Sequence, residues 1–185
     1  MFYNHMKKAV EALLFANGQP LSAGKIAKLL EIPEESVLTL LDKLNNDMEH
    51  SDRGLIILEV AGGFQLCTKP ELASIVEKLA HTQEVRLSSA AMETLAIIAF
   101  RQPVTRQEVE AIRGVNADKI VSNLLERGYI REMGRKEAIG RPILYGTSEQ
   151  FLQSFGLKDL HDLPPLADFL RDSSLSAQEK DQSSS

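Results

Sequence analysis

The chain has 185 residues, 43% of them hydrophobic, and a net charge of −5, which allows one ordinary domain or two small ones and excludes a wholly disordered chain. Aromatics are only 5% with no Trp, so Leu, Ile, Val and Ala must build the core, and the single Cys67 excludes an internal disulfide and fits a reducing compartment. No apolar run reaches the roughly 18 residues of a membrane span, and no signal-peptide cleavage pattern is present, so a cytoplasmic protein without membrane contact is expected.

The first element, "MKKAVEALLFAN", places Val10, Leu13 and Leu14 at helical spacing, and Gly18 and Pro20 end it. Ser22 is an N-cap for a second helix, "AGKIAKLL". Pro33 opens a third at its first turn, followed by Glu34 and Glu35 at the positive end of its dipole, and this helix runs to about Glu49. Two β-rich runs, "LIILEV" and "FQLCT", flank Ala61-Gly62-Gly63 and predict a hairpin. A short helix, "PELASIVEKLA", follows.

The order then repeats. "SSAAMETLAIIAF" carries Met92, Leu95, Ile98 and Ala99 on one stripe. Thr105 caps "RQEVEAIR" with Glu108 completing a capping box, and Gly114 ends that helix. Asn116 caps "ADKIVSNLLER", which Gly128 ends, and "YIREMG" and "RPILYGT" form a hairpin around "RKEAIG". "SEQFLQSFG" follows as the counterpart of the earlier short helix, with Phe151 and Phe155 in the places of Leu72 and Val76, so that both cores close alike.

Sliding the sequence by 83 residues makes the duplication explicit. "GQPLS" meets "RQPVT", and the apolar pattern continues without a gap through Ile26 and Val109, Leu29 and Ile112, and Leu41 and Leu124. Three helices followed by a hairpin describe a winged helix-turn-helix. The fold class is therefore mainly α with small β-hairpins, two tandem winged helix-turn-helix domains. Their bounds are 1–80 and 88–160, with a linker at 81–87 and an acidic, Ser-rich tail at 161–185 that is expected to be disordered.

The strings "RQPVTRQEVEAIRGV" and "GRPILYGT", with "EALLFANGQPLS" in the first unit, closely resemble the segregation and condensation protein B family over about residues 6–168. The resemblance implies a non-enzymatic subunit of the bacterial SMC condensin complex, acting in chromosome condensation and segregation. It implies a homodimer joined through the N-terminal winged helix. It further implies that the C-terminal one binds the kleisin subunit, segregation and condensation protein A, and through it the SMC ATPase, with DNA reached only indirectly or weakly.

Helix-turn-helix folds often read DNA, which requires outward Arg, Lys, Asn or Gln on the third helix. Here that helix presents Glu34, Glu35, Asp42, Asp47 and Glu49 against Lys43 in the first unit, and Asp118, Lys119, Asn123 and Glu126 in the second. Neither suits a phosphate-lined groove. The alternative function, a winged-helix transcriptional regulator, would use the second wing with Arg106 or Arg113. That wing holds the main basic cluster, with Arg131, Arg135, Lys136 and Arg141 as candidate weak phosphate contacts, set against a simply solvated hairpin.

The ungapped comparison also gives partner candidates. Asn123 and Arg127 stand where the first unit has Leu40 and Leu44, so Leu38, Leu40, Leu44 and Met48 form a surplus apolar face that buries either against the hairpin or in a homodimer contact. In the second unit Ile97 and Phe100 lie off the core stripe. With Arg101 and Arg106 they are candidates for kleisin binding, against the alternative of packing on the neighbouring domain. Scattered histidines and a strand cysteine form no catalytic or metal constellation, and no phosphate-loop or dinucleotide motif occurs, so neither enzyme activity nor a cofactor is expected.

Overall fold

A computed structural model describes residues 2–79 and 87–163 of the chain. They divide into two units, the first comprising residues up to 88 together with 149–158, and the second the remainder. Each unit is a winged helix-turn-helix. Of the expected linker at 81–87 and tail at 161–185, residues 81–86 and 164–185 lie outside the described residues.

In the first unit α1 (Phe2–Asn17), α2 (Ala23–Leu30) and α3 (Glu34–Glu49) precede the hairpin β1 (Leu55–Val60) and β2 (Gly63–Thr68). Helix α1 buries Val10 and Leu14 against Ile26 and Ala27 of α2 and the inner face of α3. The Ser22 hydroxyl accepts from the Lys25 N–H and caps α2. Pro33 occupies the N-cap of α3 rather than its first turn, one residue from its predicted place. Ala61 and Gly62 both take positive φ, 49° and 70°, as a two-residue hairpin turn of this twist requires.

Helix α3 ends on carbonyls held by a buried cation. Lys69, 8% exposed, donates from Nζ to the carbonyls of Glu49 and Ser51 at 3.2 and 2.9 Å. A lysine there satisfies the negative end of the helix where no intrahelical donor remains. A 3-10 turn at Pro70–Leu72 and α4 (Ala73–Leu79) follow.

The second unit comprises α5 (Ser89–Arg101), β3 (Val104–Thr105), α6 (Arg106–Arg113), α7 (Asp118–Glu126), β4 (Ile130–Arg135) and β5 (Ile143–Thr147). Its sheet runs β3-β5-β4, all antiparallel, with a bulge in β4 between Glu132 and Gly134. The core is Ala91, Leu95 and Ile98 of α5, with Val109, Val121, Leu124 and Ile130. Asn116 does supply the predicted cap bond, accepting from the Asp118 N–H at 3.1 Å, although Ala117 holds the N-cap position.

The "QPLS" and "QPVT" echo has one structural meaning in both units. Val104 and Thr105 pair with Tyr145 and Leu144 as a short strand. Leu21 pairs with Phe64 through two backbone bonds of 2.9 and 3.0 Å, the same strand reduced to a single bridge. Gly63 permits that approach, since a Cβ there would stand 3.0 Å from the Leu21 backbone.

Two differences from the sequence reading are informative. First, α8 (Glu149–Phe155) groups with the first unit, whereas the boundary at 160 assigned it to the second. Ala61 and Gly62 at the β1–β2 turn donate to the Leu157 and Lys158 carbonyls, and Lys158 pairs with Glu59 at 2.8 Å. Second, the two short helices do not close their cores alike: Phe151 is buried, whereas its counterpart Leu72 is only half-buried, and Val76 and Phe155 are alike exposed, at 39% and 37%.

Candidate interaction surfaces

The apolar face of α3, expected from the repeat comparison to bury against the hairpin or in a homodimer contact, is mostly turned inward. Leu40, Leu44 and Met48 are all buried in the first unit's own core with Val37 and Leu41; only Leu38, 46% exposed, faces out. This is a correction with a physical cause. The turn between helices two and three is one residue longer in the second unit: three residues separate α2 from α3, and four separate α6 from α7. The ungapped shift therefore slips by one at that turn. The true counterpart of Leu40 is the fully buried Leu124, not the exposed Asn123. The remaining surplus, Leu44 and Met48, belongs to the longer C-terminal half of α3, which packs on α1 and β1.

The outward face of α3 is acidic, as expected. Glu34, Glu35, Asp42, Asp47 and Glu49 are exposed, and Asp47 takes an ion pair from Lys7. In the second unit Asp118, Lys119 and Asn123 are exposed on α7, and Asp118 is paired with Arg106. A phosphate backbone would meet carboxylates on both helices.

Of the kleisin candidates, Ile97 and Phe100 are half-buried on α5 and Arg101 is exposed at its end. Arg106 is engaged by Asp118 and by Glu110 at 3.8 Å. Arg113 is held on α5 by Glu93 at 3.2 Å, with its side chain only 6% exposed, so it does not serve a ligand in solvent.

On the wing, Arg131, Arg135, Lys136 and Arg141 are all exposed. Lys136 pairs with Glu108 at 2.5 Å and so joins the wing to the capping box of α6. The Thr105 hydroxyl accepts from the Glu108 N–H, and the Glu108 carboxylate accepts from the Thr105 N–H at 2.8 Å. The Lys136 bond, then the Thr105 bonds, hold the Glu108 carboxyl down at about 2, below its ordinary 4.5. A depressed carboxyl stabilises the fold above its unfolded pKa, and the contribution fades as pH falls through the folded one. Urea titrations should therefore show wild type ahead of Glu108→Gln by a constant margin above about pH 5, shrinking toward zero near pH 2. A margin independent of pH would contradict the charged bond.

Among the described residues, no three His, Cys, Asp or Glu side chains gather as metal ligands, and no helix is long and apolar enough to cross a membrane. Cys67 lies half-buried in β2, and desolvation raises its thiol above the usual value, which suits packing rather than attack.

The family model described as segregation and condensation complex subunit ScpB matches residues 8–166. The chain belongs to the segregation and condensation protein B family. It is 51% identical over 167 residues to segregation and condensation protein B of Moorella thermoacetica, covering 90% of this chain and 86% of that one. It is 50% identical over 166 residues to the Symbiobacterium thermophilum protein of the same name, covering 90% and 76%. Among solved structures it is similar to a dimer of the ScpB N-terminal domain complexed with ScpA peptide, at 38% identity and TM-score 0.41, over 43% of this chain and 99% of that one. The one-residue slip at the turn hid which face of α3 is free, and the exposed Phe15, Ile75 and Leu79 were not among the residues that the repeat comparison singled out.

Proposed function

We propose that this protein is a non-enzymatic adaptor of a chromosome-organising complex. It works as a homodimer, binds the kleisin segregation and condensation protein A, and through it serves an SMC ATPase on the cytoplasmic nucleoid. The family match over residues 8–166 carries this reading. The acidic outward face of α3 supports it, because a helix-turn-helix whose recognition helix repels phosphate has lost the usual reader's chemistry.

The first unit supplies the dimer contact. Its exposed Phe15, Ile75 and Leu79, at 77%, 62% and 86%, offer more bare apolar surface than a lone domain needs, with Leu38 as a further contributor. The second unit takes the kleisin, with Ile97 and Phe100 on α5 as the apolar anchor beside Arg101. Arg106 keeps its place through Glu110 and Asp118 and frames that surface.

Size exclusion with light scattering tests the reading. The chain alone should elute as a dimer, and with its kleisin as a stable larger complex. Phe100→Asp, if its circular dichroism is unchanged, should lose the complex but remain dimeric. A monomer that leaves the kleisin unshifted would overturn the proposal.

A further inference from the structure

Six arginines among the described residues contrast with one another, beside Arg101 at the end of α5 and Arg127, which lies over the Tyr129 ring. Arg53, Arg106 and Arg113 are each paired with a carboxylate that fixes them to the body of their unit. Arg131, Arg135 and Arg141 have no carboxylate partner among the described residues, and all three stand on one hairpin. Between Arg127 and Arg141 the chain carries five Arg or Lys and two Glu, in a protein whose overall charge is −5. Basic charge is thus concentrated on the wing of the second unit.

β4 is an outer strand of the sheet, and every residue from Arg131 through the turn to Gly140 is exposed, whereas the central strand β5 buries Tyr145, Gly146 and Thr147. The tip of the hairpin is closed tightly: the Lys136 N–H donates to the Pro142 carbonyl and the Arg141 N–H to the Ala138 carbonyl, both at 2.9 Å. Arg141 sits at φ 41°, a left-handed conformation that side-chain-bearing residues rarely adopt, and Arg135 Nη1 donates to its carbonyl at 3.1 Å. The two guanidinium-bearing residues are therefore held together beside a fully exposed Ile139. A disfavoured backbone held in place at an exposed tip is the kind of feature that marks a contact site.

We propose that this wing is a direct contact for duplex DNA. Arg131, Arg135 and Arg141 meet phosphates without reading sequence, and Ile139 lies at the edge of the minor groove, where apolar side chains wedge against base steps. A narrow, arginine-bearing tip fits a groove, whereas a docked protein needs a broad face that this tip does not offer. The neighbouring helix α7 adds little, since its Asp118 is exposed and acidic. The contact is independent of how the chain binds its kleisin.

Fluorescence anisotropy of the full-length protein on a labelled duplex of about 30 base pairs tests this, with salt varied from about 50 to 200 mM. Three phosphate contacts predict a slope of log affinity against log salt of about −2 to −3. Arg135→Gln with Arg141→Gln should weaken binding about tenfold at the lowest salt and flatten the slope by about 2. Arg131→Gln, outside the turn, gives an independent loss should the double variant misfold. Lys119→Gln on α7 should stay within about twofold. The proposal fails if the wild type does not bind at low salt, if Lys119→Gln costs as much as the wing variants, or if those variants lose the kleisin while DNA binding is unchanged.

Discussion

Leu40→Lys is expected to unfold the first unit, not to yield a folded monomer. Leu40 is 3% exposed and packs in the core with Val37, Leu41 and Leu44. The substitution removes an apolar side chain whose truncation alone costs about 2–5 kcal/mol. It also forces an ammonium, with no carboxylate partner provided, into that apolar space or drives the helix off its bed. The total exceeds about 4 kcal/mol, a large part of the ~5–15 kcal/mol that holds a typical domain. Urea denaturation followed by circular dichroism should show helix lost at low denaturant. Leu38→Lys, two residues away and 46% exposed, should fall within about 0.5 kcal/mol of wild type. It is the substitution that probes dimerisation without probing folding. A fully helical Leu40→Lys protein of ordinary stability would show that the inner face of α3 is not the core.

The contrast between Leu38 and Leu40 shows where sequence was sufficient. Helix caps were legible because their chemistry is local: Ser22, Thr105 and Glu108 make the bonds their spacing requires. The hairpins were legible because β-rich runs flank turn residues, and Ala61-Gly62 adopts the positive φ values the turn needs. The helix-turn-helix order followed from both. The facing of α3 was not legible, because an ungapped repeat carries no signal for a turn lengthened by one residue, and one residue rotates a helix by about 100°. The assignment of α8 was hidden for another reason. Its tie to the first unit runs through backbone groups of Ala61, Gly62, Leu157 and Lys158, which leave no side-chain pattern. On the wing the basic residues were legible, but only the structure separates Lys136, committed to Glu108, from the three arginines that have no carboxylate partner among the described residues.

The two glutamines of the internal repeat should respond very differently to the same change. Gln102 accepts from the Thr147 N–H at 2.8 Å and from its hydroxyl at 3.1 Å, and donates to the Ala99 carbonyl at 3.0 Å. It thereby fastens the end of α5 to β5, and Thr147 and Ala99 are themselves buried. Gly146 is part of the same arrangement, since a Cβ there would come within 2.7 Å of Gln102 Oε1. Gln102→Leu keeps the volume but strands the Thr147 N–H and the Ala99 carbonyl away from water. Each unsatisfied group costs about 1–3 kcal/mol, so a loss of about 2–4 kcal/mol is expected. Gln19 is exposed, and the bond to this region comes instead from Asn17, whose Nδ2 donates to the Gln19 carbonyl at 2.7 Å and ignores its side chain. Gln19→Leu should therefore stay within about 0.5 kcal/mol. Matched urea titrations of the two variants decide the matter. Equal effects would mean that the shared dipeptide has a common side-chain role. Unequal effects would mean that the repeat preserves only the backbone turn and cap, and that the second unit alone has put its glutamine to use as a strut.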